Sequence, residues 1–282
     1  MDASRVEVTD GVSLNVHSWD GDGVPFVLVH GLASNARLWD GVAEELAARG
    51  HRVIAVDQRG HGRSDKPDDG YDFETVCADL VALIGSMGLD RPVVAGQSWG
   101  GQVVVELAAR RPELVRGIAC VDGGWIDLSR FATFEDCAAV MSPRRTTGLA
   151  FAEIDAMMRR RHPDWPESGL AGALACFEVR DDGTVAPWLS FDRHLAILRA
   201  MWEQRIPEVL AQVQVPTLLL PCDDGSGSDH IAGKRRAVDV AEAKLAVSRT
   251  HWFQAEHDVH AQYPDQVASV LAGALDDGFF PA

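Results

Sequence analysis

The stretch Val93-Val94-Ala95-Gly96-Gln97-Ser98-Trp99-Gly100-Gly101-Gln102 decides the fold prediction. An apolar run typical of a strand leads directly into the pattern G-x-S-x-G-G, and a helical pattern continues to Arg110. Such a turn holds its serine clear of the sheet edge, because glycines two positions before and after it let strand and helix approach without Cβ collisions. The N-terminus of the following helix also favours negative charge. The pattern therefore predicts that Ser98 is a nucleophile on a strand–turn–helix unit.

Strand-like runs and amphipathic helical patterns alternate along most of the chain. The first two runs, Val6–Val8 and Val12–Trp19, predict a hairpin, and the last helix is predicted to begin at Pro264. Alternation of this kind is typical of an α/β fold, in which a mostly parallel central sheet carries helices on both faces.

The alternation stops between residues 124 and 207. This segment has helical spacing, no convincing succession of strands, and four of the eight tryptophans. We predict one α/β core, residues 1–123 and 208–282, interrupted by an inserted helical cap, or lid, over residues 124–207. An aromatic cap suits an apolar pocket. Trp125, Trp188 and Trp202 are therefore candidates for substrate binding, and packing of the cap onto the core is the alternative role for them.

Composition limits the classes of partner. The chain has 282 residues, an apolar content of 46% that can fill a sizeable core, and a formal net charge of -16. A surface this acidic repels phosphate backbones and anionic membranes. We therefore expect a small-molecule substrate, with no nucleic-acid partner and no membrane partner. The sequence makes no prediction of the oligomeric state.

Cysteine usage and the N-terminal residues bear on location. The five cysteines are odd in number and form no C-x-x-C pair, so we expect reduced thiols. The N-terminal residues lack the basic start and apolar run of a secretory signal. No stretch approaches the roughly 20 apolar residues that a bilayer-spanning helix needs. A cytoplasmic protein is expected.

Four motifs, in order along nearly the whole chain, resemble those of the α/β-hydrolase superfamily. The first is His30-Gly31-Leu32, which resembles the oxyanion loop of the family. The second is the D-x-R-G-x-G-x-S segment over residues 57–64. The nucleophile turn at Ser98 and the histidine at His257, shortly before the last helix, complete the set. The match is to the serine-hydrolase branch that carries a helical cap.

This resemblance assigns roles to individual residues. It implies that His257 is the general base, and that the backbone N–H groups of Leu32 and Trp99 form an oxyanion hole, where they bind charge that develops only in the transition state. It also implies a structural role for the D-x-R-G-x-G-x-S segment, with Arg59 and Asp65 engaged in turn hydrogen bonds.

Ten histidines compete for the role of base. His257 is favoured because it follows the last predicted strand and precedes Tyr263-Pro264, where the last helix begins. This order places it at the carboxyl edge of the sheet, the same edge as Ser98. His251, His257 and His260 do not form an H-E-x-x-H pattern, and no cysteine lies nearby, so no metal site is predicted.

The triad acid has two candidate positions. In many relatives it lies in a G-x-x-D segment that follows an apolar P-T-L run. Here the run Pro216–Leu220 is followed by Cys222 in the glycine place and Gly225 in the acid place. Asp223 and Asp224 are near, but they are out of register with that pattern.

The other position is the end of the sixth strand. The sequence Gly117-Ile118-Ala119-Cys120-Val121-Asp122 resembles haloalkane dehalogenases, and Asp122 follows Ser98 by 24 residues, the spacing of that family. An acid at either strand end can reach the same histidine, because its role needs proximity rather than one chain position. Asp122 is favoured. Asp224 or Asp223 stays as the alternative acid. The non-catalytic interpretation of Asp122 is that it only forms a turn.

These residues predict a serine hydrolase that cleaves a carboxylic ester, thioester or lactone through a Ser-His-Asp triad and an acyl-enzyme, with no cofactor. Haloalkane dehalogenases and epoxide hydrolases use a carboxylate nucleophile, whereas position 98 is serine. One alternative is a ligand-binding receptor or natural-product cyclase of the same fold with little net hydrolysis. Another is a carbon–carbon bond hydrolase, although the G-P-G sequence usual in that class is absent from residues 30–35. Arg144, Arg145 and Arg159–Arg161 are candidates for contacts with an anionic substrate or for pairing with acids of the cap.

Overall fold

The computed structural model describes residues 1–143 and 146–281. Its strands are β1 (Asp2–Thr9), β2 (Val12–Trp19), β3 (Gly23–Val29), β4 (His51–Val56), β5 (Val93–Gln97), β6 (Gly117–Val121), β7 (Phe177–Val179), β8 (Val185–Pro187), β9 (Thr217–Leu220), β10 (Cys222–Asp223), β11 (Ser248–Thr250) and β12 (Phe253–Gln254). Eight strands form one sheet in the order β1-β2-β4-β3-β5-β6-β9-β11. The pairs β1–β2 and β2–β4 are antiparallel, and all pairs from β4 to β11 are parallel.

The helices surround this sheet. They are α1 (Asp40–Ala48), α2 (Phe73–Ser86), α3 (Trp99–Arg110), α4 (Phe134–Met141), α5 (Phe151–Arg161), α6 (Glu167–Leu174), α7 (Phe191–Glu203), α8 (Ile206–Leu210), α9 (Asp229–Lys244), α10 (Val259–Gln262) and α11 (Pro264–Asp276). Asp72, Thr133, Ser190 and Ser228 start four of them, because each side chain accepts a hydrogen bond from a backbone N–H of the first turn. None of the described helices combines the length and apolar character needed to cross a bilayer.

Both faces of the sheet are buried. In β3, Phe26 and Leu28 pack into the apolar layer that includes α1 and α11, whereas Val27 and Val29 pack into the layer that includes α2 and α3. Successive side chains of a strand point to opposite faces, so a continuous apolar run is what a strand covered on both sides requires. The predicted α/β fold, a mostly parallel sheet with helices around it, is confirmed.

Near the C-terminal end of the chain the sequence pattern predicts a strand over residues 246–253 and a helix near Lys234–Leu245. The structure divides that strand into β11 and β12, and the helix begins earlier, at Asp229. Ser228 explains the earlier start, because its hydroxyl caps the helix by accepting from the Ile231 N–H at 3.4 Å.

The segment of residues 124–207 contains α4 to α7 and also a hairpin of β7 and β8. The sequence pattern predicts helices alone in this segment. Strands of three residues are too short to show alternation, so the hairpin leaves no periodic signal. Its turn is made at Gly183, whose φ is 79°. Helix α8 begins at Ile206, so the predicted border between residues 207 and 208 falls within a helix. The division into core and cap stays a prediction.

Hydrogen bonds attach this segment to the residues around the carboxyl edge of the sheet. The Asn35 side chain donates to the Gly172 carbonyl of α6 at 2.8 Å. Arg193 of α7 donates to the Lys66 carbonyl at 2.7 Å. A ring nitrogen of His162 lies 2.9 Å from a carboxylate oxygen of Glu256. The segment therefore lies over the edge where the predicted catalytic residues are found.

The D-x-R-G-x-G-x-S segment, residues 57–64, is held by a buried ion pair. Arg59 donates two hydrogen bonds to the Asp79 carboxylate of α2, both at 2.6 Å, and both side chains are almost fully buried. Asp65 accepts hydrogen bonds from Arg5 and from the Ser13 N–H. Arg59 is thus fixed to a neighbouring helix rather than within its own turn.

Removal of this pair is expected to lower stability strongly. Asp79→Ala leaves the Arg59 guanidinium buried without a partner, which costs about 3–5 kcal/mol of unfolding free energy. The matched control is Glu113→Ala, which breaks an exposed 2.6 Å pair with Arg111 and is expected to cost little, because water screens the two charges. Urea denaturation of both variants measures the difference. Similar losses in the two variants would contradict the assignment of Arg59 to a buried, charge-dependent contact.

Candidate active site

Ser98 occupies a strained turn between β5 and α3. Its backbone φ is 52° and its ψ is -119°, a conformation that L-residues rarely adopt. A Cβ atom at Gly96 would collide with the backbone of Gly100, so a glycine is required there. This geometry places Ser98 at the N-terminus of α3, where it is only partly buried while its neighbours are buried. The predicted nucleophile therefore has an accessible hydroxyl group.

The sheet hydrogen bonds continue past the ends of the strands and align the site. The Ser98 N–H donates to the Val121 carbonyl at 3.0 Å, and the Asp122 N–H donates to the Leu220 carbonyl at 3.0 Å. Asp122 then leaves the strand with a φ of 42°, which aspartate tolerates better than most residues. Ser98 and Asp122 are thereby fixed side by side at the carboxyl edge of β5 and β6.

Asp122 and His257 are in direct contact. Nδ1 of His257 lies 2.7 Å from Oδ2 of Asp122, whose carboxylate is 1% exposed. The Cys222 N–H donates to the other carboxylate oxygen at 2.9 Å. Because Asp122 is ionised beside this nitrogen, the geometry favours a proton on Nδ1 and leaves Nε2 as an acceptor.

The loop that carries His257 is attached to the nucleophile turn. Strand β12 pairs with β10, and the Ala255 N–H donates to the Asp223 carbonyl at 3.1 Å. The Gln97 side chain, next to Ser98 in sequence, donates to the His257 carbonyl at 3.3 Å. Within the described residues, no hydrogen bond joins Ser98 to His257; such bonds often tighten only when substrate is bound.

The pKa values of this pair follow from burial and charge. Desolvation lowers the pKa of His257, but the hydrogen bond to Asp122 and the charges of Asp258 and Asp122 outweigh it, so the net shift is upward. Desolvation raises the pKa of Asp122, and the hydrogen bond to His257 together with the charges of His257 and Lys234 brings it below its ordinary value. Asp122 is therefore ionised at neutral pH.

The loop after β3 offers backbone donors beside Ser98. Within residues 1–143 and 146–281, the N–H groups of Leu32 and Trp99 have no hydrogen-bond acceptor. The next residue, Ala33, has a φ of 59°, and its N–H donates to Nε2 of His61 at 3.2 Å. These two free N–H groups belong to the residues that the sequence analysis assigned to an oxyanion hole.

The segment of residues 57–64 supports this loop. The Asp57 carboxylate accepts from the Ala36 N–H at 2.7 Å, and the Gln58 N–H donates to Nε2 of His30 at 3.0 Å. Burial lowers the pKa of both His30 and His61, the second strongly, so both rings are neutral and can accept hydrogen bonds from backbone N–H groups. The segment takes no direct part in the site, but it holds the predicted oxyanion loop in place.

The alternative acids, Asp223 and Asp224, make their contacts with residues other than His257. Asp223 pairs with Arg235 at 2.6 Å and accepts from the Gly225 N–H, and Asp224 is exposed and accepts from the Ser226 N–H at 2.9 Å. Both carboxylates thus cap their own turn. Of the three predicted candidates, the structure brings only Asp122 to His257.

Lys234 is a residue that the sequence analysis missed. Its ammonium group donates to both carboxylate oxygens of Asp122, at 2.8 and 2.7 Å, and to the Cys222 carbonyl at 2.9 Å. Lys234 lies on α9, 112 residues after Asp122, so no local pattern relates the two.

The three predicted substrate-binding tryptophans are not brought together. Trp125 is buried in the core, and Trp202 packs against Phe134 and donates from its indole N–H to the Phe131 carbonyl at 3.1 Å. Trp188 lies under the Lys66 ammonium, 4.9 Å from it. Trp125 and Trp202 make packing contacts, which the alternative interpretation describes, and substrate binding by these tryptophans stays a prediction.

A cavity of about 510 Å³ lies between residues of the 124–207 segment and Ala33 of the loop after β3. Its lining is mainly apolar and includes Phe177, Leu189 and Phe191, with His194 as its most buried polar residue. None of Trp125, Trp188 and Trp202 is among the described lining residues.

The structure also bears on the arginines of the 124–207 segment, on His260 and on the absence of a predicted metal site. Arg144 and Arg145 lie outside the described residues, and Arg159 pairs with Asp155 and Glu167. His260 is fully buried against the Trp39 ring. No group of three potential metal ligands is found in the described part of the chain.

Comparisons with known proteins agree with this architecture. A family model described as the alpha/beta hydrolase fold matches residues 24–144. A putative non-heme haloperoxidase of Mycobacterium phage D29 is 34% identical over 226 residues, which cover 73% of this chain and 81% of that protein. The 2-(acetamidomethylene)succinate hydrolase of Mesorhizobium japonicum is 36% identical over 215 residues, covering 74% of this chain and 73% of that protein.

A solved structure extends the similarity to the whole chain. The structure of E-2-(acetamidomethylene)succinate hydrolase matches with a TM-score of 0.77 at 23% identity, and the match covers 98% of this chain and 99% of that one. The fold, the order of the motifs and these relatives lead to the same assignment. The chain belongs to the α/β-hydrolase fold family.

Proposed function

We propose that this protein is a serine hydrolase that cleaves a carboxylic ester, thioester or lactone through an acyl-enzyme. Ser98 is the nucleophile, His257 the general base and Asp122 the acid. The observation that carries the proposal is the 2.7 Å contact between Nδ1 of His257 and the buried Asp122 carboxylate, on the same sheet edge as the Ser98 turn. The family relationship to a named hydrolase supports hydrolysis as the reaction class.

The proton transfers follow from this arrangement. Asp122 holds the tautomer in which Nε2 of His257 carries a lone pair, and Nε2 accepts the proton of Ser98 as the serine oxygen attacks the acyl carbon. The bond to the leaving oxygen or sulfur then breaks, and His257 returns the proton to that atom. His257 then accepts a proton from a water molecule as the water oxygen attacks the acyl carbon. The bond between that carbon and the Ser98 oxygen breaks, His257 returns the proton to Ser98, and the carboxylic acid is released.

The negative oxygen of each tetrahedral intermediate needs donors that are already in place. The free N–H groups of Leu32 and Trp99 are suited to this role, because water does not have to reorganise when the charge forms. Hydrogen bonds that involve His61, His30 and Asp57 fix the loop that carries Leu32. Loss of one such donor typically costs a few kcal/mol of transition-state stabilisation.

The cavity next to Ala33 is a suitable site for part of the substrate. Its apolar lining fits a hydrocarbon portion of an acyl or leaving group. His194 lies in this lining and is 5% exposed. Burial lowers the pKa of His194, and a contact with the Met141 backbone opposes that shift in part. The ring can use one nitrogen for the Met141 backbone, and a substrate group that bonds to the other nitrogen would satisfy a buried polar atom that otherwise costs about 1–3 kcal/mol.

Active-site labelling separates this proposal from its alternatives. The test treats the protein with a fluorophosphonate probe, identifies the labelled residue by mass spectrometry, and measures turnover of a panel of aryl esters and thioesters. Labelling of Ser98 with multiple turnovers supports the hydrolase. Labelling with slow turnover favours a receptor or cyclase of the same fold, and cleavage of a vinylogous diketone without ester cleavage favours a carbon–carbon bond hydrolase.

Removal of the nucleophile or the base is expected to abolish turnover. Ser98→Ala and His257→Ala should each lower kcat by roughly four to six decades, as in other serine-triad enzymes. Steady-state ester hydrolysis gives the rate, and circular dichroism checks that each variant is folded. A folded Ser98→Ala protein that keeps more than a tenth of the activity would exclude Ser98 as the nucleophile.

Replacement of the acid is expected to distinguish Asp122 from its alternatives. Asp122→Asn should lower kcat/KM by about three to four decades. It removes charge that raises the pKa of His257, so the acidic limb of the pH profile should also move to lower pH. Asp224→Asn, the matched control at an exposed carboxylate, should change kcat/KM less than twofold. Equal, small losses in both variants would show that neither residue is the triad acid.

His194 is expected to select substrates with a polar group in the cavity. The measurement compares two aryl esters of equal acyl length, one with a plain alkyl chain and one with an ether oxygen or amide in the chain. His194→Phe should lower kcat/KM for the polar ester about tenfold more than for the alkyl ester. Trp202→Phe, outside the cavity, is the control. An equal effect of His194→Phe on both esters would remove His194 from substrate recognition.

A further inference from the structure

We propose that Lys234 is a positioning residue that orients the Asp122 carboxylate and limits the negative charge acting on His257, an inference that rests on the proposed role of His257 as base. No motif or relative described above assigns a role to this lysine. Its contacts with the acid are as short as that of the histidine.

The three hydrogens of the Lys234 ammonium have three acceptors. They are Oδ1 and Oδ2 of Asp122 and the carbonyl oxygen of Cys222, at 2.8, 2.7 and 2.9 Å. The lysine side chain is 12% exposed and the carboxylate 1% exposed. A charge so far removed from water persists only when it is paired and hydrogen-bonded, as it is here. Lys234 and Asp122 therefore form a buried, fully hydrogen-bonded ion pair rather than a surface ion pair.

Lys234 also fixes the orientation of the carboxylate. It bridges both oxygens of Asp122, and the Cys222 N–H donates to Oδ1 at 2.9 Å. Rotation of the carboxylate would break these bonds. The remaining direction of Oδ2 points to Nδ1 of His257, which is the direction that a triad acid needs.

The titratable groups that face His257 come from five elements, and three of these elements supply charged groups. Asp122 at the end of β6 and Asp258 on the same loop are negative and raise the pKa of the imidazole, and Lys234 on α9 lowers it. His260 on α10 is neutral, because burial lowers its pKa to about 4. Cys222 on β10 is neutral, because burial raises the pKa of its thiol. Two carboxylates are thus opposed by one ammonium group.

The balance of these charges bears on both halves of the reaction. Without Lys234, both carboxylates would stabilise the imidazolium, so a smaller fraction of His257 would be neutral and able to accept the Ser98 proton at a given pH. An imidazolium with a higher pKa is a weaker acid, so it would also return its proton to the leaving group less readily. Lys234 keeps Asp122 charged for its orienting role while partly cancelling its effect on basicity.

The experiment varies the charge at position 234. The pH dependence of kcat/KM for an aryl ester is measured for Lys234→Met, Lys234→Gln and Lys234→Arg, and the His257 pKa is measured by NMR in each of these with Ser98→Ala added. Loss of the charge in the Met and Gln variants should move both midpoints upward by about 0.5–1 pH unit. Lys234→Arg keeps the charge and should stay within about 0.3 unit of the parent.

The matched control is Arg235→Met. It removes one positive charge from the next position of α9, where Arg235 pairs with Asp223 at the surface, and should leave both midpoints within about 0.3 unit of the parent. If Lys234→Met does not fold, the comparison of Lys234→Gln with Lys234→Arg tests the same charge.

The two readouts separate this inference from the proposed function. Unchanged midpoints in the Met and Gln variants, or equal shifts in Arg235→Met, would overturn the role of Lys234 even if esters are hydrolysed. An NMR shift restricted to the uncharged variants supports the role of Lys234. The same NMR result without hydrolysis of any ester, thioester or lactone would instead refute the proposed function while retaining the electrostatic role.

Discussion

A single buried carboxylate organises the carboxyl edge of this sheet. Asp122 accepts hydrogen bonds from a backbone N–H, from an ammonium group through both of its oxygens, and from an imidazole. A buried carboxylate that lost these donors would be costly, so the elements that supply them must meet at one point. Those elements are β10, α9 and the loop after β12, which are far from Asp122 in sequence. The geometry of the proposed site is a consequence of satisfying this charge.

Backbone strain is concentrated at the same edge. Among the described non-glycine residues, Ala33, Ser98 and Asp122 have positive φ angles and lie in or beside the site, and Arg91 is the fourth. Such conformations persist only where the surroundings determine them. Here the surroundings are the last hydrogen bonds of β5 and β6, the glycines of the Ser98 turn, and the neutral His61 under Ala33. The strained residues are the proposed nucleophile, the proposed acid and the neighbour of a proposed oxyanion donor.

Much of this arrangement could be predicted from the sequence because it rests on local rules. A strand, a tight glycine turn and a helix around Ser98 are encoded in ten consecutive residues, and alternation of strands and helices predicts the parallel sheet. Once the sheet is parallel, residues after its strands must share one edge, which brings Asp122 near His257. The displaced register after Leu220 is the reason the sequence favours Asp122 over Asp223 and Asp224, and in the structure these two carboxylates accept hydrogen bonds within their own turns.

The parts that escaped prediction depend on contacts between distant segments. The ion pair of Lys234 with Asp122 joins residues that share no motif. Arg59 pairs with Asp79 on α2 and not with a residue of its own turn. The hairpin of β7 and β8 is too short for periodicity to reveal. The sequence leaves two roles open for the tryptophans of the 124–207 segment, because aromatic residues serve packing and recognition equally well. Only three-dimensional contacts separate the two uses.

The catalytic roles of Ser98, His257 and Asp122 are tested most directly by a crystal structure of the protein after reaction with a fluorophosphonate, which mimics the tetrahedral intermediate. We expect phosphorus bonded to Oγ of Ser98, a phosphoryl oxygen about 2.7–3.1 Å from the N–H groups of Leu32 and Trp99, and His257 still hydrogen-bonded to Asp122. Phosphorus on another residue, or a phosphoryl oxygen directed away from both N–H groups, would contradict these roles.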